Sequence, residues 1–187
     1  MAFLSSFGIK ELGFCSCGEK VLISEKASIY GASRISIGNN VRIDDLCILS
    51  AGEGGILIGD YVHIACYSSL IGKGEIRLGD YSNISSRVSI YSSSDDYSGE
   101  HMTNPTVPRH LTNVDNRPVT IGRHVIIGAG SVVLPGVIIG EGCAIGAMSL
   151  VKDRCEPFGI YMGIPAKHGG NRLRGFLQKE KGLDSNA

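Results

Sequence analysis

The side chains best able to move a proton near neutral pH are the five histidines, His63, His101, His110, His124 and His168, and the acidic pair Asp95 and Asp96 in SSSDDYS. An imidazole changes protonation within the physiological range, and a carboxylate on one ring nitrogen makes the other a directed base. His63, in IGDYVHIACYSS, is the leading candidate for such a base, with Asp95 or Asp96 expected to orient its ring and stabilise the imidazolium. His124, at a bend in IGRHVI, is the second. An aspartate alone titrates near pH 4 and is a weak base for a hydroxyl. Asn83, Ser92, Asp96, Tyr97 and Glu100 add hydrogen-bonding groups of the kind a polyhydroxylated ligand needs.

What must position these groups is a repeat of period six. Residues 121–150 read IGRHVI, IGAGSV, VLPGVI, IGEGCA, IGAMSL, each word opening on an aliphatic residue and carrying a small or β-branched residue at its fifth place. Six fits neither an amphipathic helix nor a two-sided strand, but it fits a parallel β-helix in which each word is one short strand and one bend. Earlier words open at Cys17, Ile23, Ile29, Ile37, Ile43, Leu49, Ile58, Ile64, Leu70, Leu78, Ile84 and Ile90, and a last one at Val151. Grouped in threes these words form about six triangular coils over residues 17–155. Gly18, Gly38, Gly59, Gly79, Gly122 and Gly140 take the second place of every first word.

Extra residues enter only after a third word, so the additions are expected along one edge of the prism. The longest is a polar, proline-containing arm at residues 92–118, expected to be functional because the period resumes in phase after it. Residues 1–16 are expected to cap the first coil. Residues 156–187 are expected to supply the GIPAK segment, a short basic helix with Leu173, Phe176 and Leu177 on one face, and a tail frayed over residues 184–187.

Trp is absent, aromatics make up only 6% and there are 26 glycines, which suits a core of branched aliphatics in tight bends. Lys+Arg and Asp+Glu balance at 18 each, so charge does not favour nucleic acid or an anionic membrane as partner. No apolar run reaches the roughly 20 residues of a membrane span, and a cytoplasmic location is expected. Cys47 and Cys143 fall at fifth places and are expected to be buried small hydrophobes. Cys15 and Cys17 lack a second pair at zinc spacing. The residues in register with His63 are Arg42 and Asn83, so no ladder of histidines exists to hold zinc, and no metal is expected.

The words, followed by IYMGIPAK, resemble the hexapeptide-repeat acyltransferases, in particular the branch of maltose and galactoside O-acetyltransferases and polysaccharide-cluster sugar acetyltransferases. The resemblance spans residues 17–167. It implies an all-β, left-handed parallel β-helix, a homotrimer with active sites between subunits, and acetyl-CoA as co-substrate. Parallel crossovers are generally right-handed, so the left hand rests on the resemblance alone.

In that branch the base is a histidine on the arm, within a pattern resembling VHIYTATHP. Laid against VSIYSSSDDY, its place is taken here by Asp95, which leaves His63, with His124 behind it, to accept the proton. The resemblance also implies that Ala129, Ala147 and Pro165 of GIPAK line the pantetheine groove and that Lys152 and Lys167 lie near the nucleotide phosphates.

The leading functional expectation is acetyl transfer from acetyl-CoA to a hydroxyl of a sugar or glycan precursor, by direct attack with general-base assistance. The first alternative is N-acetylation of a nucleotide-linked amino sugar, because a neutral amine needs less help from a base. The second is a β-helix scaffold without catalysis.

Overall fold

The word-opening residues form three columns in the computed structural model, which describes residues 2–184. One column runs Cys17, Ile37, Ile58, Leu78, Ile121, Ile139, each paired in parallel with the next. The second runs Ile23, Ile43, Ile64, Ile84, Ile127, Ile145. The third runs Ile29, Leu49, Leu70, Ile90, Val133, Val151. Each column is the inward row of one flat sheet. The first and third faces are six-stranded and the second is eight-stranded.

The fold is therefore the expected parallel β-helix, though it runs slightly further than about six coils. Cys155 bridges to Ile139 on the first face, and the strand Gly159–Gly163 pairs with Ala144 and Ile145 on the second. Pairing thus crosses the boundary expected at residue 155. The second column is 0–3% exposed from Ile23 to Ile145. Burying an aliphatic side chain of that size contributes roughly 1.5–3 kcal/mol, repeated at every rung.

The bends explain the glycines. A Cβ on Gly79 would lie 2.8 Å from the Gly122 carbonyl carbon and 2.7 Å from the Arg123 nitrogen, and one on Gly38 would lie 2.7 Å from Gly59. Successive turns approach too closely there for any side chain. Two residues on, the backbone is left-handed at Asn40, Tyr61, Tyr81 and His124. Each amide donates to a carbonyl of the turn before, as Tyr61 to Asn39 at 2.8 Å, Tyr81 to Asp60 at 2.8 Å and His124 to Asp80 at 2.9 Å. Those bonds offset the strain of a positive φ. At the fifth places, Cys47 and Cys143 are fully buried, and burial pushes the Cys47 thiol up to about 11.

The added segments leave from the third corner and stack on one another. The Arg34 guanidinium donates to the carbonyls of Ala51 and Gly52, the Ser93 hydroxyl accepts from the Lys73 amide at 2.7 Å, and the Arg117 amide donates to Ser92. The arm opens and closes as an antiparallel pair, Ser93–Ser94 against Asp115–Asn116. Inside it lies one 3-10 turn, Arg109–Leu111.

The N-terminal cap is a helix, Ser6–Glu11, whose Gly8 amide is capped by the Ser5 hydroxyl, with Leu4, Ile9 and Phe14 against the core. At the other end the strand Ala166–Asn171 folds back antiparallel on Gly159–Gly163. GIPAK supplies the reversal, with a cis peptide between Ile164 and Pro165. The terminal helix is Gly175–Asp184, so Leu173 precedes it and is 88% exposed; it does not share an apolar face with Phe176 and Leu177. Residues 185–187 of the tail expected to fray lie outside the described residues.

Replacing Gly79 by Ala forces a methyl into backbone of the next turn, an overpacking that costs ~1–3 kcal/mol. A Cβ on Gly170 meets nothing within 4 Å, and that residue's φ is not positive. Gly79→Ala is therefore expected to lower the thermal midpoint clearly, and Gly170→Ala to leave it within a degree or two. Equal midpoints would refute the close-approach account.

Candidate active site

His63 stands at the outward position of the second face, in register with Arg42 on the turn before and Asn83 on the turn after. Its Nε2 is 2.9 Å from Asp44 Oδ2 and its Nδ1 is 3.2 Å from Asn83 Oδ1. The Arg42 Nε donates to the other Asp44 oxygen at 2.7 Å. The carboxylate on His63 is therefore Asp44, not Asp95 or Asp96. Burial raises the Asp44 carboxyl, but hydrogen bonds and charge from Arg42 and His63 outweigh it and hold the group below its ordinary value.

Asp44 was missed although its signal was present. It follows Ile43 directly, and the column that places Arg42 beneath His63 places Asp44 at the adjoining bend. The sequence reading sought the carboxylate on the arm because a long loop is the usual source of catalytic groups.

Asp96 is committed within the arm. Its Oδ1 accepts from the Ser98 amide at 2.7 Å and its Oδ2 lies 2.8 Å from His101 Nδ1, and those bonds, the Ser98 amide foremost, hold its carboxyl down at about 2. Asp95 is exposed and lines a cavity of about 540 Å³ beneath the arm, with Ile71, Ser93, Asn104 and Arg109 among its other walls. Tyr97, 93% exposed, and Glu100 project from the arm into solvent. Ser92 does not face a ligand: it is fully buried, and its hydroxyl donates to the Gly74 carbonyl at 2.7 Å. Asn83 takes part as the neighbour of His63.

His124 does not have the freedom of a base. Only 9% exposed, its ring stacks between Tyr81 and Phe176, both at 4.8 Å, and its Nε2 lies 2.8 Å from Glu180. Arg172 donates to its carbonyl at 2.7 Å, and Arg123 pairs with Glu180. These contacts make it the seat of the terminal helix.

The residues assigned to the pantetheine groove do converge. Ala129 and Ala147 are exposed at the same bend of successive turns, and the Met148 amide donates to the Ala129 carbonyl at 2.9 Å. The next rung is the GIPAK reversal, where the Gly163 amide donates to the Ser149 hydroxyl at 3.1 Å, carrying Pro165 to the same corner. Above Ala129 the corner continues through Ser86 to Cys66, whose thiol and hydroxyl are 3.4 Å apart, and on to the turn of Asp44. Lys167 lies on the returning strand, opposite Met162. Lys152 does not join this column; it follows Val151 at the far end of the third face and pairs with Asp153. Among the described residues no group of three or more His, Cys, Asp and Glu is placed to hold a metal ion, and no helix is long and apolar enough to cross a membrane.

Residues 118–153 match the family described as bacterial transferase hexapeptide (six repeats). Across almost the whole length, the chain is 60% identical to an Escherichia coli dTDP-4-amino-4,6-dideoxy-D-glucose acyltransferase, over 96% of this chain and 94% of the relative. The chain belongs to the hexapeptide-repeat acyltransferases. Among solved structures, AntD, an N-acyltransferase from Bacillus cereus in complex with dTDP-4-amino-4,6-dideoxyglucose and coenzyme A, superposes with a TM-score of 0.95 at 46% identity, over 100% of this chain and 99% of AntD.

A maltose O-acetyltransferase from Clostridium difficile reaches only 0.58 at 21% identity, over 89% of this chain and 73% of the other, a likeness of fold alone. The expected branch within the acyltransferases is thereby corrected: the strong likeness is to enzymes named for an amino sugar. The correction accords with Asp95 standing where the O-acetyltransferases carry their arm histidine.

Because the Asp96 carboxyl is held at about 2 against an ordinary 3.8, the order it gives the arm is complete above about pH 4 and is lost as pH falls towards 2. Pepsin cleavage within residues 92–118, normalised to an unfolded peptide, is expected to accelerate over that interval in the wild type. It should already be fast at pH 4 in Asp96→Asn, and a rate independent of pH in the wild type would count against the assignment.

Proposed function

We propose that this acyltransferase uses acyl-CoA to N-acylate a dTDP-linked 4-amino-4,6-dideoxyglucose at its 4-amino group. The observation that carries the reading is the 60% identity over nearly the full length of an enzyme named for that sugar. AntD, which holds the same sugar nucleotide with coenzyme A in one structure and dTDP with 3-hydroxybutyryl-CoA in another, supports it. Acetyl-CoA is the donor expected from the sequence.

The thioester is already activated, so the protein has to align the reactants, accept a proton and stabilise the oxyanion. In this reading the pantetheine arm lies along the corner of Ala129 and Ala147 and ends near Ser86 and Cys66, with Lys167 towards the nucleotide phosphates. The neutral amine attacks the thioester carbonyl, the C–N bond forms as the C–S bond breaks, and CoA leaves as the thiol. His63, at the upper end of the groove, accepts the amine proton and returns it to the departing sulfur. An amine is a better nucleophile than a hydroxyl, which fits the absence of a histidine on the arm.

Asp95 is at the third corner, whereas His63 is on the second face near the second corner. One protomer thus presents the two groups on separate edges of its prism. Three prisms around an axis would bring the arm of one against the groove of the next, and in this reading the homotrimer completes the site with Asp95, Tyr97 and Glu100 on the sugar.

The test supplies acetyl-CoA with the amino sugar nucleotide or its 4-hydroxyl counterpart and follows thiol release. Release with the amine and at least ~100-fold less with the hydroxyl is expected, since a site built around a hydrogen-bonding group discriminates strongly against its replacement. Equal or faster acylation of the hydroxyl would replace this reading by O-acylation. No turnover, joined to no thermal shift with CoA, would leave the scaffold.

A further inference from the structure

We infer that Asp44 is a positioning residue for His63, and that Arg42, Asp44 and His63 form a relay across two successive turns that makes Nδ1 the proton-accepting nitrogen. The inference rests on the N-acylation reading for its chemistry, but its geometry stands independently. Asp44 meets the ring at 2.9 Å on Nε2 and its side chain is only 10% exposed, against 41% for His63. A carboxylate accepts and cannot donate, so it selects the tautomer with hydrogen on Nε2 and leaves the lone pair on Nδ1.

Arg42 fixes the carboxylate from its other side, and Phe3 of the N-terminal segment covers the guanidinium, with its ring centre 5.5 Å away. On the Nδ1 side stands Asn83, at 3.2 Å. With a lone pair on Nδ1 the Asn83 amide meets it best by presenting its N–H₂, which occupies the place that the substrate's N–H takes during transfer. The charged and polar groups facing the ring are thus Arg42 and Asp44 from the turn before and Asn83 from the turn after.

During attack, the proton leaving the sugar nitrogen passes to Nδ1 as the C–N bond forms, giving an imidazolium held by the Asp44 charge. The same proton passes to the CoA sulfur as the C–S bond breaks, so the products are the amide and the thiol and the ring is unchanged. This division of labour differs from the expected one, in which the arm supplied the carboxylate. It frees Asp95 to act on the sugar.

Two measurements test it. Nitrogen-15 NMR of the histidines in the unliganded protein, with His63→Gln to assign the signal, is expected to show the Nε2–H tautomer for His63 whenever the ring is neutral. Asp44→Asn should abolish that preference. An Nδ1–H tautomer in the wild type would overturn the relay whatever the enzyme's substrate proves to be.

In the thiol-release assay, His63→Gln is expected to lower kcat by about 10²–10⁴, the usual contribution of a general base. Asp44→Asn should lower kcat at least about tenfold with KM for both substrates within about twofold. Removing a negative charge beside an imidazole favours its neutral form, so the acid limb of kcat should move to lower pH in Asp44→Asn. Asp44→Glu, which restores the carboxylate, should recover part of the rate and return the limb. Wild-type kcat and an unmoved limb in a folded Asp44→Asn protein, judged by an unchanged circular dichroism spectrum, would overturn the proposal. Failure of the wild type to acylate the amine would remove the N-acylation reading while leaving the tautomer result to decide the relay.

Discussion

The height of one β-rung governs this molecule. Parallel strands sit about 4.8 Å apart, and here every bend must repeat at that spacing because all three faces climb together. The rule is visible in side chains as well as backbone: Tyr61, Tyr81 and His124 stack with centres 5.0 and 4.8 Å apart and planes within 9°. At the second place of each first word the turns come so close that Gly38 and Gly79 have no room for a Cβ. Chain length is free only where the segment can leave the prism, so turns of different length still return to register.

Chemistry inherits that geometry. Residues outward on one face are held a rung apart, and a side chain such as His63 can be gripped from the turn before and the turn after at once. A flat surface thereby supplies the rigid support that a layered domain obtains by burial. The arm follows the opposite logic. Its Asp96 is fixed by the local Ser98 and His101, which organise its own loop and leave Asp95, Tyr97 and Glu100 at the surface. Along the second corner, small residues continue one another from Ser86 through Ala129 and Ala147 to the GIPAK reversal, leaving backbone amides accessible to an extended ligand.

Nearly all of the fold was legible in the sequence because register depends on inward aliphatics, and those repeat. Each residue assigned to a word opening, from Cys17 to Val151, pairs with its assigned neighbours. The site was legible only in part. His63 was visible from its phase, and Ala129, Ala147 and Pro165 came together as expected, because those places are set by the same columns. Ser92 and His124 carried functional residue types but lie buried, the first bonded to Gly74 and the second beneath a helix more than 50 residues further along the chain. Periodicity says nothing of a contact that distant. Asp44 was hidden for another reason: it occupies a bend, where side chains follow the turn and not the alternation of a strand.

The two ends differ from every other rung, and the difference bears on solubility. A parallel stack exposes unpaired amides and carbonyls at each end and is, in principle, a template on which another chain can continue the ladder. At one end the Ser6–Glu11 helix and the bridge from Phe3 to Ser24 interrupt that template. At the other, the chain turns against its own direction at Ile164 and Pro165, so the outermost strand, Ala166–Asn171, runs antiparallel to the rest and carries three glycine or histidine neighbours in HGG. A further copy arriving end-on meets a strand of the wrong polarity. The coil that makes the enzyme so regular is thereby kept from growing into a fibre.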